Sequence, residues 1–315
     1  MPPFVSTWEC SSRKDASPSQ YGLPPPATKE RPESRRRTSS SPVFTPWAFL
    51  QYPWTSPGSQ LNRFIIVLRD SEMRLIITGA TGVAGLSIYR AALADYSIER
   101  VTLLTRRPIP AWAKLPPNAG EKTEVVLHKD FKSYPPDLAK HLAEHDALIW
   151  ALGRSTMGLS EEEYTELTYE YTMAAARALK EAGAGSESRP FRFVYISGEH
   201  ADPTSKSRQM WARVKGRVER ELPELFKDTN IRVQVFRPGY FFPSKKYPED
   251  RQNQRTAALR AVDAVMTPIL AAMTPALYAP IEDLARFAVE LAKGRWPDQA
   301  MFRNADMRRL VKELA

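Results

Sequence analysis

The stretch Met73-Arg-Leu-Ile-Ile-Thr-Gly-Ala-Thr-Gly-Val-Ala-Gly85 narrows the folds open to this chain more than any other. Its apolar run, Leu75 to Ile77, suits a strand buried on both faces of a parallel sheet. Glycines follow at 79, 82 and 85, and then a helical pattern. A turn of this kind aims backbone N–H groups from the positive end of a helix at an anion, as the pyrophosphate of a dinucleotide requires. Gly79 is expected to make the tight turn, Gly82 to admit the pyrophosphate and Gly85 to let helix pack on strand, with Thr81 and Val83 in the same cofactor-binding turn.

From residue 73 onward, β-rich runs near 73–78, 101–105, 124–128, 146–152, 191–197 and 231–236 alternate with helical patterns near 84–95, 137–144, 160–183, 208–222, 253–266, 281–293 and 305–314. That order implies βαβ units and an α/β fold, a doubly wound parallel sheet with helices on both faces. Ligands in such sheets bind beyond the carboxyl ends of the strands. Thr78-Gly79, Thr105-Arg106, Asp130, Leu152-Gly153, Ser197 and Arg237-Pro-Gly239 are therefore expected to converge on one crevice.

The second strand, Val101-Thr-Leu-Leu-Thr105, ends in Arg106-Arg107-Pro108, where an NAD-selective site would set a carboxylate against the ribose diol. Arginine pairs with a 2′-phosphate that a carboxylate would repel, so NADP is favoured over NAD. Asp130 and Phe131 follow the third strand. They are read either as neighbours of the adenine ring or as a capping Asp and a core Phe.

Residues 1–72 hold 11 of the 27 prolines and 12 serines, without sustained periodicity, and are expected to be a disordered extension. Two stretches stand apart there, the aromatic-rich Val43 to Trp54 and the apolar Phe64 to Leu68. No apolar segment follows a charged N-terminus as in a secretory signal, and Glu9, Asp15, Glu30 and Glu33 argue against a mitochondrial presequence. Met73 sits where many single-domain nucleotide-binding proteins begin, so the extension is read as an addition to the domain or a gene-model artefact. Residues 73–315 are expected to form the nucleotide-binding domain, with about 240–280 closing a small-molecule pocket.

The net charge of +9 is spread along the chain and forms no dense basic stripe with interleaved aromatics. This fits an anionic cofactor or surface and argues against nucleic acid. Cys10 is the only cysteine, which excludes an intrachain disulfide and a thiolate metal cluster and favours a reducing, cytoplasmic setting. His141 and His145 are read as polar residues on an exposed helix face, and no metal site is expected. Val262 to Ile281 is apolar and about as long as a membrane span, but Asp263 and prolines 268, 275 and 280 interrupt it. Burial against the domain or lining of the pocket is the preferred reading, and peripheral membrane contact the alternative.

With Thr78-Gly-Ala-Thr-Gly-Val-Ala-Gly85, Asp130-Phe131, Ala151-Leu-Gly-Arg-Ser155, Ser197, Lys215-Gly-Arg-Val-Glu219 and Phe236-Arg-Pro-Gly239, residues 73 to about 294 resemble the atypical and extended short-chain dehydrogenase/reductases. The likeness is to the Tat-interacting-protein branch, which includes a fungal group at the mitochondrial outer membrane. The resemblance implies an NADP-dependent oxidoreductase. In it Ser197 polarises a carbonyl, Lys215 holds the nicotinamide ribose, and a tyrosine four residues before the lysine gives the proton. This chain has Trp211 at that position. Residues i and i+4 share a helix face, so Trp211 either reaches the crevice or joins the packed stripe of Val214, Val218 and Leu222. An indole N–H donates a hydrogen bond but cannot give up its proton at useful pH. Two functions follow: reduction of a carbonyl or activated alkene, with His200 or Tyr240 as substitute acid, or a catalytically inert dinucleotide-binding regulator or scaffold.

Overall fold

Leu75 and Ile77 pack into one apolar core while Ile76, between them, packs into another, so the first strand of the domain is buried on both faces. That strand lies at the centre of a parallel sheet, as its unbroken apolar run requires. The structure is a computed structural model that describes residues 5–7 and 73–314. Its strands are β1 (Val5–Thr7), β2 (Met73–Thr78), β3 (Ile98–Thr105), β4 (Thr123–Leu127), β5 (Ala147–Trp150), β6 (Phe191–Ile196), β7 (Ile231–Arg237) and β8 (Met301–Arg303). Their order in the sheet is β1-β4-β3-β2-β5-β6-β7-β8, and every pairing is parallel. The chain runs outward from β2 to one edge, then returns to build the other half from β5. The switch between β2 and β5 opens a crevice at the carboxyl ends of the strands.

The helices are α1 (Val83–Ala94), α2 (Ala119–Lys122), α3 (Pro136–Ala143), α4 (Glu161–Thr165), α5 (Tyr171–Glu181), α6 (Met210–Leu225), α7 (Pro248–Gln254), α8 (Ala257–Met273), α9 (Ile281–Ala292) and α10 (Asn304–Leu310). Leu86 and Ile88 of α1 share a core with Leu284 and Phe287 of α9, while Leu138 of α3, Met173 of α5 and Val218 of α6 share the core on the other face. The sheet is thus wrapped on both sides, as the alternation of elements predicts.

Several details depart from the sequence reading. The expected helix over 160–183 contains a π-helical turn, Glu166–Glu170, between α4 and α5. β8 is too short to show a strand pattern, with only Phe302 buried between exposed neighbours. Val5–Thr7 pairs with β4 at the sheet edge, where a β-branched pair flanking a serine suits a short strand. The other residues of 1–72, including both apolar stretches and Cys10, lie outside the described residues. His145 is buried, not exposed: its ring bonds Thr102 Oγ1 at 2.7 Å, and burial lowers its pKa to about 3. His141 pairs with Glu124 at 3.1 Å, and no metal-binding group of side chains occurs among the described residues.

The largest correction concerns 262–281. α8 is a continuous helix through Pro268, and it is turned inside out. Asp263 is buried against Arg255 at 3.1 Å, whereas Val262, Val265, Met266, Ile269 and Met273 are exposed, Val265 at 60 % and Met273 at 77 %. The side of the helix that carries Asp263 is turned inward, and its apolar side is left to the outside. Leu277 alone among the large apolar residues of this stretch lines the cavity described below.

Candidate active site

The turn after β2 is shaped by its glycines in three ways. Gly79 has φ +69°, and a Cβ there would lie 2.4 Å from the Ala151 carbonyl oxygen, so both conformation and space demand glycine. A Cβ on Gly85 would lie 2.1 Å from the Gly79 carbonyl oxygen, because α1 sits directly on the turn that starts it. Gly82 is exposed and donates its N–H to Gly79 O at 2.9 Å. α1 begins with no side-chain cap and no acid in its first turn, which leaves its positive end open to an anion. Val83 opens the helix, and Thr81 O accepts a hydrogen bond from Gln254 Nε2 at 3.4 Å, tying α7 to the turn.

Arg106 and Arg107 are exposed just beyond β3, and neither makes an ion pair among the described residues. Asp130 is also exposed and accepts the Lys132 N–H at 3.0 Å in a local turn. Phe131 is fully buried, with ring centroids 5.9 Å from Tyr171 and 6.0 Å from Trp150. Its side chain therefore belongs to the core, which corrects the expectation that it flanks a ligand. The Leu152 N–H donates to Thr78 Oγ1 at 3.2 Å, joining the ends of β2 and β5. Gly153 is exposed, and a Cβ there would meet nothing within 4 Å.

Ser197, His200, Trp211, Lys215 and Tyr240 all border one cavity of about 370 Å³ at the carboxyl ends of β6 and β7. The Ser197 hydroxyl is buried and has no hydrogen-bond partner among the described residues. Lys215 Nζ donates to the Ile196 and Ser197 carbonyls, each at 3.0 Å. Burial lowers its pKa to about 8, against the opposing pull of Glu219. Trp211 is half-buried while Val214, Val218 and Leu222 are buried, so it faces the cavity and does not extend the packed stripe. A Cβ on Gly198 would stand 3.2 Å from the indole ring, so the ring closes directly over the start of this loop. His200 is exposed, and Tyr240 is 58 % exposed at the rim.

Arg154, Ser155, Thr156 and Tyr164 line the same cavity; the sequence reading quoted the first two in the Ala151–Ser155 run without giving them a site role and did not single out the others. The first three follow the end of β5 and could have been found from that position. Tyr164 carried one signal, an aromatic side chain directly after Glu161-Glu-Glu163 in a helix whose Ser160–Glu163 capping box is readable in sequence.

The two most specific motifs act as one fastening. Within Lys215-Gly-Arg-Val-Glu219, a Cβ on Gly216 would fall 2.0 Å from the Asp202 backbone, so α6 approaches that loop as only glycine permits. Glu219 is buried and makes a two-point pair with Arg237 of the Phe-Arg-Pro-Gly run, one contact being 2.9 Å. Gly239 then lies so close to Leu277 that a Cβ would be 2.3 Å from its carbonyl oxygen. Together these contacts hold Lys215 under the strand ends.

This architecture is similar to the α/β fold of solved short-chain dehydrogenase/reductases. The reductase domain PhqB from Penicillium fellutanum matches with TM-score 0.55 and 18 % identity, covering 75 % of this chain and 67 % of that one. An actinorhodin polyketide ketoreductase solved with NADPH matches with TM-score 0.51 and 19 % identity, over 74 % and 96 %. In sequence, the chain is similar to mitochondrial FMP52 proteins of fungi and to a leucinostatins biosynthesis cluster protein. It is 27 % identical over 168 residues to protein T of that cluster in Purpureocillium lilacinum, covering 53 % of this chain and 57 % of the relative. With FMP52 of Eremothecium gossypii it shares 27 % over 169 residues, covering 53 % and 66 %. The match thus spans less than two thirds of each of these relatives. No family model matches the chain.

Proposed function

We propose that the protein binds NADP(H) and reduces a carbonyl or an activated alkene of a small molecule. The observation that carries this reading is the buried Ser197 hydroxyl, unpartnered among the described residues, in the same cavity as Lys215 and on the same carboxyl edge of the sheet as the glycine turn. The residues present fit a dinucleotide: an uncapped helix start for the pyrophosphate, Arg106 and Arg107 for a 2′-phosphate, and Lys215 for the nicotinamide ribose. When bound, the cofactor supplies hydride. Ser197 donates a hydrogen bond to the substrate oxygen, strengthened as negative charge develops there. Trp211 can donate a second hydrogen bond but no proton.

The experiment is a thermal shift with NADPH and NADH, followed by dinucleotide oxidation against a panel of carbonyl compounds. Turnover of any member supports the reductase. Tight NADPH binding with no turnover selects the inert regulator that Trp211 favours, and no shift with either dinucleotide overturns both.

The exposed apolar side of α8 favours peripheral contact with a membrane, and the names of the FMP52 relatives favour a mitochondrial one. None of the described helices is long and apolar enough to cross a bilayer. Co-flotation of the full chain with anionic phospholipid vesicles tests this. Binding should fall at least about tenfold in Val265→Glu/Ile269→Glu, since each charge sits where apolar surface would enter the interface. Undiminished flotation of that variant would overturn the assignment.

A further inference from the structure

Trp211 stands where the resemblance expects the acid, and a phenol stands on the helix clasped to α6. We propose that Tyr164 is the acid of this site, giving its proton to the substrate oxygen that Ser197 holds; the proposal rests on the reductase reading above. Tyr164 is 2 % exposed and borders the same cavity as Ser197, Trp211 and Lys215.

Its position is fixed from both sides. The Ser160–Glu163 capping box starts α4, and the Tyr164 N–H bonds Ser160 O at 3.1 Å. Glu161, one turn earlier, receives both its contacts from Arg213 at 2.7 Å, and Arg213 lies midway between Trp211 and Lys215 on α6. Beyond Tyr164 comes the π-helical turn, a geometry concentrated at functional sites. It carries Tyr169, whose hydroxyl bonds Glu221 and whose ring lies 3.8 Å from the Arg217 guanidinium, a second clasp between the same two segments. The other donors are placed less well. His200 and Tyr240 are exposed, Tyr195 is buried without lining the cavity, and Lys215 Nζ is turned to the Ile196 and Ser197 carbonyls. Burial raises the Tyr164 pKa, with a hydrogen bond to Thr168 opposing it, so the phenol is a weak acid that gives up its proton only to the more basic alkoxide that hydride addition forms.

In the step, the carbonyl carbon gains a hydride from a dihydronicotinamide, which is oxidised as the carbonyl is reduced. The C=O π pair moves onto oxygen and takes the Tyr164 proton, completing the alcohol. The phenolate left behind is reprotonated from water at the exposed rim.

The test uses the full chain, NADPH and phenanthrenequinone, an activated diketone. Tyr164→Phe should lower kcat by about 10²–10⁴, the usual cost of losing a general acid, while its thermal shift with NADPH stays that of the wild type. In a second measurement, fluorotyrosine at position 164 reports directly by fluorine NMR. Its resonance should move when the quinone is added to NADP⁺-bound protein, which needs no turnover and no deletion of the phenol. Retention of wild-type kcat in Tyr164→Phe, or an unmoved fluorine resonance, overturns the assignment of Tyr164 while leaving the reductase standing. A wild type that binds NADPH yet reduces nothing overturns both.

Discussion

At Lys215, desolvation and hydrogen bonding compete at a single atom. Two carbonyls hold the ammonium, yet burial brings its pKa from 10.5 to about 8. Because the folded value lies below the unfolded one, the native state binds fewer protons between those two values. The contribution of this group to stability therefore rises with pH across that window, and the cost of burying the charge is complete below it. Affinity for an anionic dinucleotide runs the other way, since the cation is lost as pH rises through about 8. The NADPH dissociation constant, measured by fluorescence, should increase across that range in wild type and stay flat in Lys215→Met. Two glycines give a matched contrast at the same scale. Gly216→Ala places a methyl against the Asp202 backbone and should cost about 1–3 kcal/mol in chemical denaturation, whereas Gly153→Ala, with open space around it, should leave stability unchanged.

Among the elements, the join between α6 and β7 most directly sets the geometry of the site. Glu219 and Arg237 are both largely buried, so each leaves an uncompensated charge if the other is removed. Glu219→Ala should destabilise the protein by about 3–5 kcal/mol, read from urea unfolding, while replacing both partners with apolar residues of similar size should recover much of the loss. Neither residue's pairing could be read from the chain, because the bond joins positions on separate elements. The glycine turn and six of the strands were legible for the opposite reason: their signals are local runs and spacings. β8 failed that test by length, and α8 failed it by orientation. An apolar pattern specifies that a helix has an apolar side but not which way it faces. Here Asp263 faces inward, paired with Arg255, and Val265 and Met273 face outward. Similarly, Ser197 and Lys215 could be picked out by type and position, whereas Tyr164 came into view only once α4 was seen to pack beside α6.

For the whole molecule, the division of labour in the sheet has a measurable consequence. The ends of β2, β3 and β5 carry the glycine turn, the arginines and the Leu152 loop, while the ends of β6 and β7, with Arg154 to Thr156 beyond β5, carry the cavity. A ligand reaching from one half to the other across the switch point would link both to a single unfolding transition, stabilising the native state by about 2.7 kcal/mol at one hundred times its dissociation constant. NADPH should therefore raise the melting temperature more than NADH at equal concentration, since a charge-assisted contact from Arg106 or Arg107 is worth about 1.5–3 kcal/mol, or roughly ten- to a hundredfold in affinity. Arg106→Glu/Arg107→Glu should abolish that preference without changing the melting temperature of the free protein, because both side chains are exposed and make no ion pair among the described residues. Every residue in this argument lies at or after Met73. A chain beginning at Met73 should consequently keep the NADPH affinity of the full chain within about threefold, a change of about 0.65 kcal/mol. A larger loss would show that the edge strand β1, or the segment that joins it to β2, contributes to the dinucleotide site, and the crevice would then have to be redrawn to include that edge of the sheet.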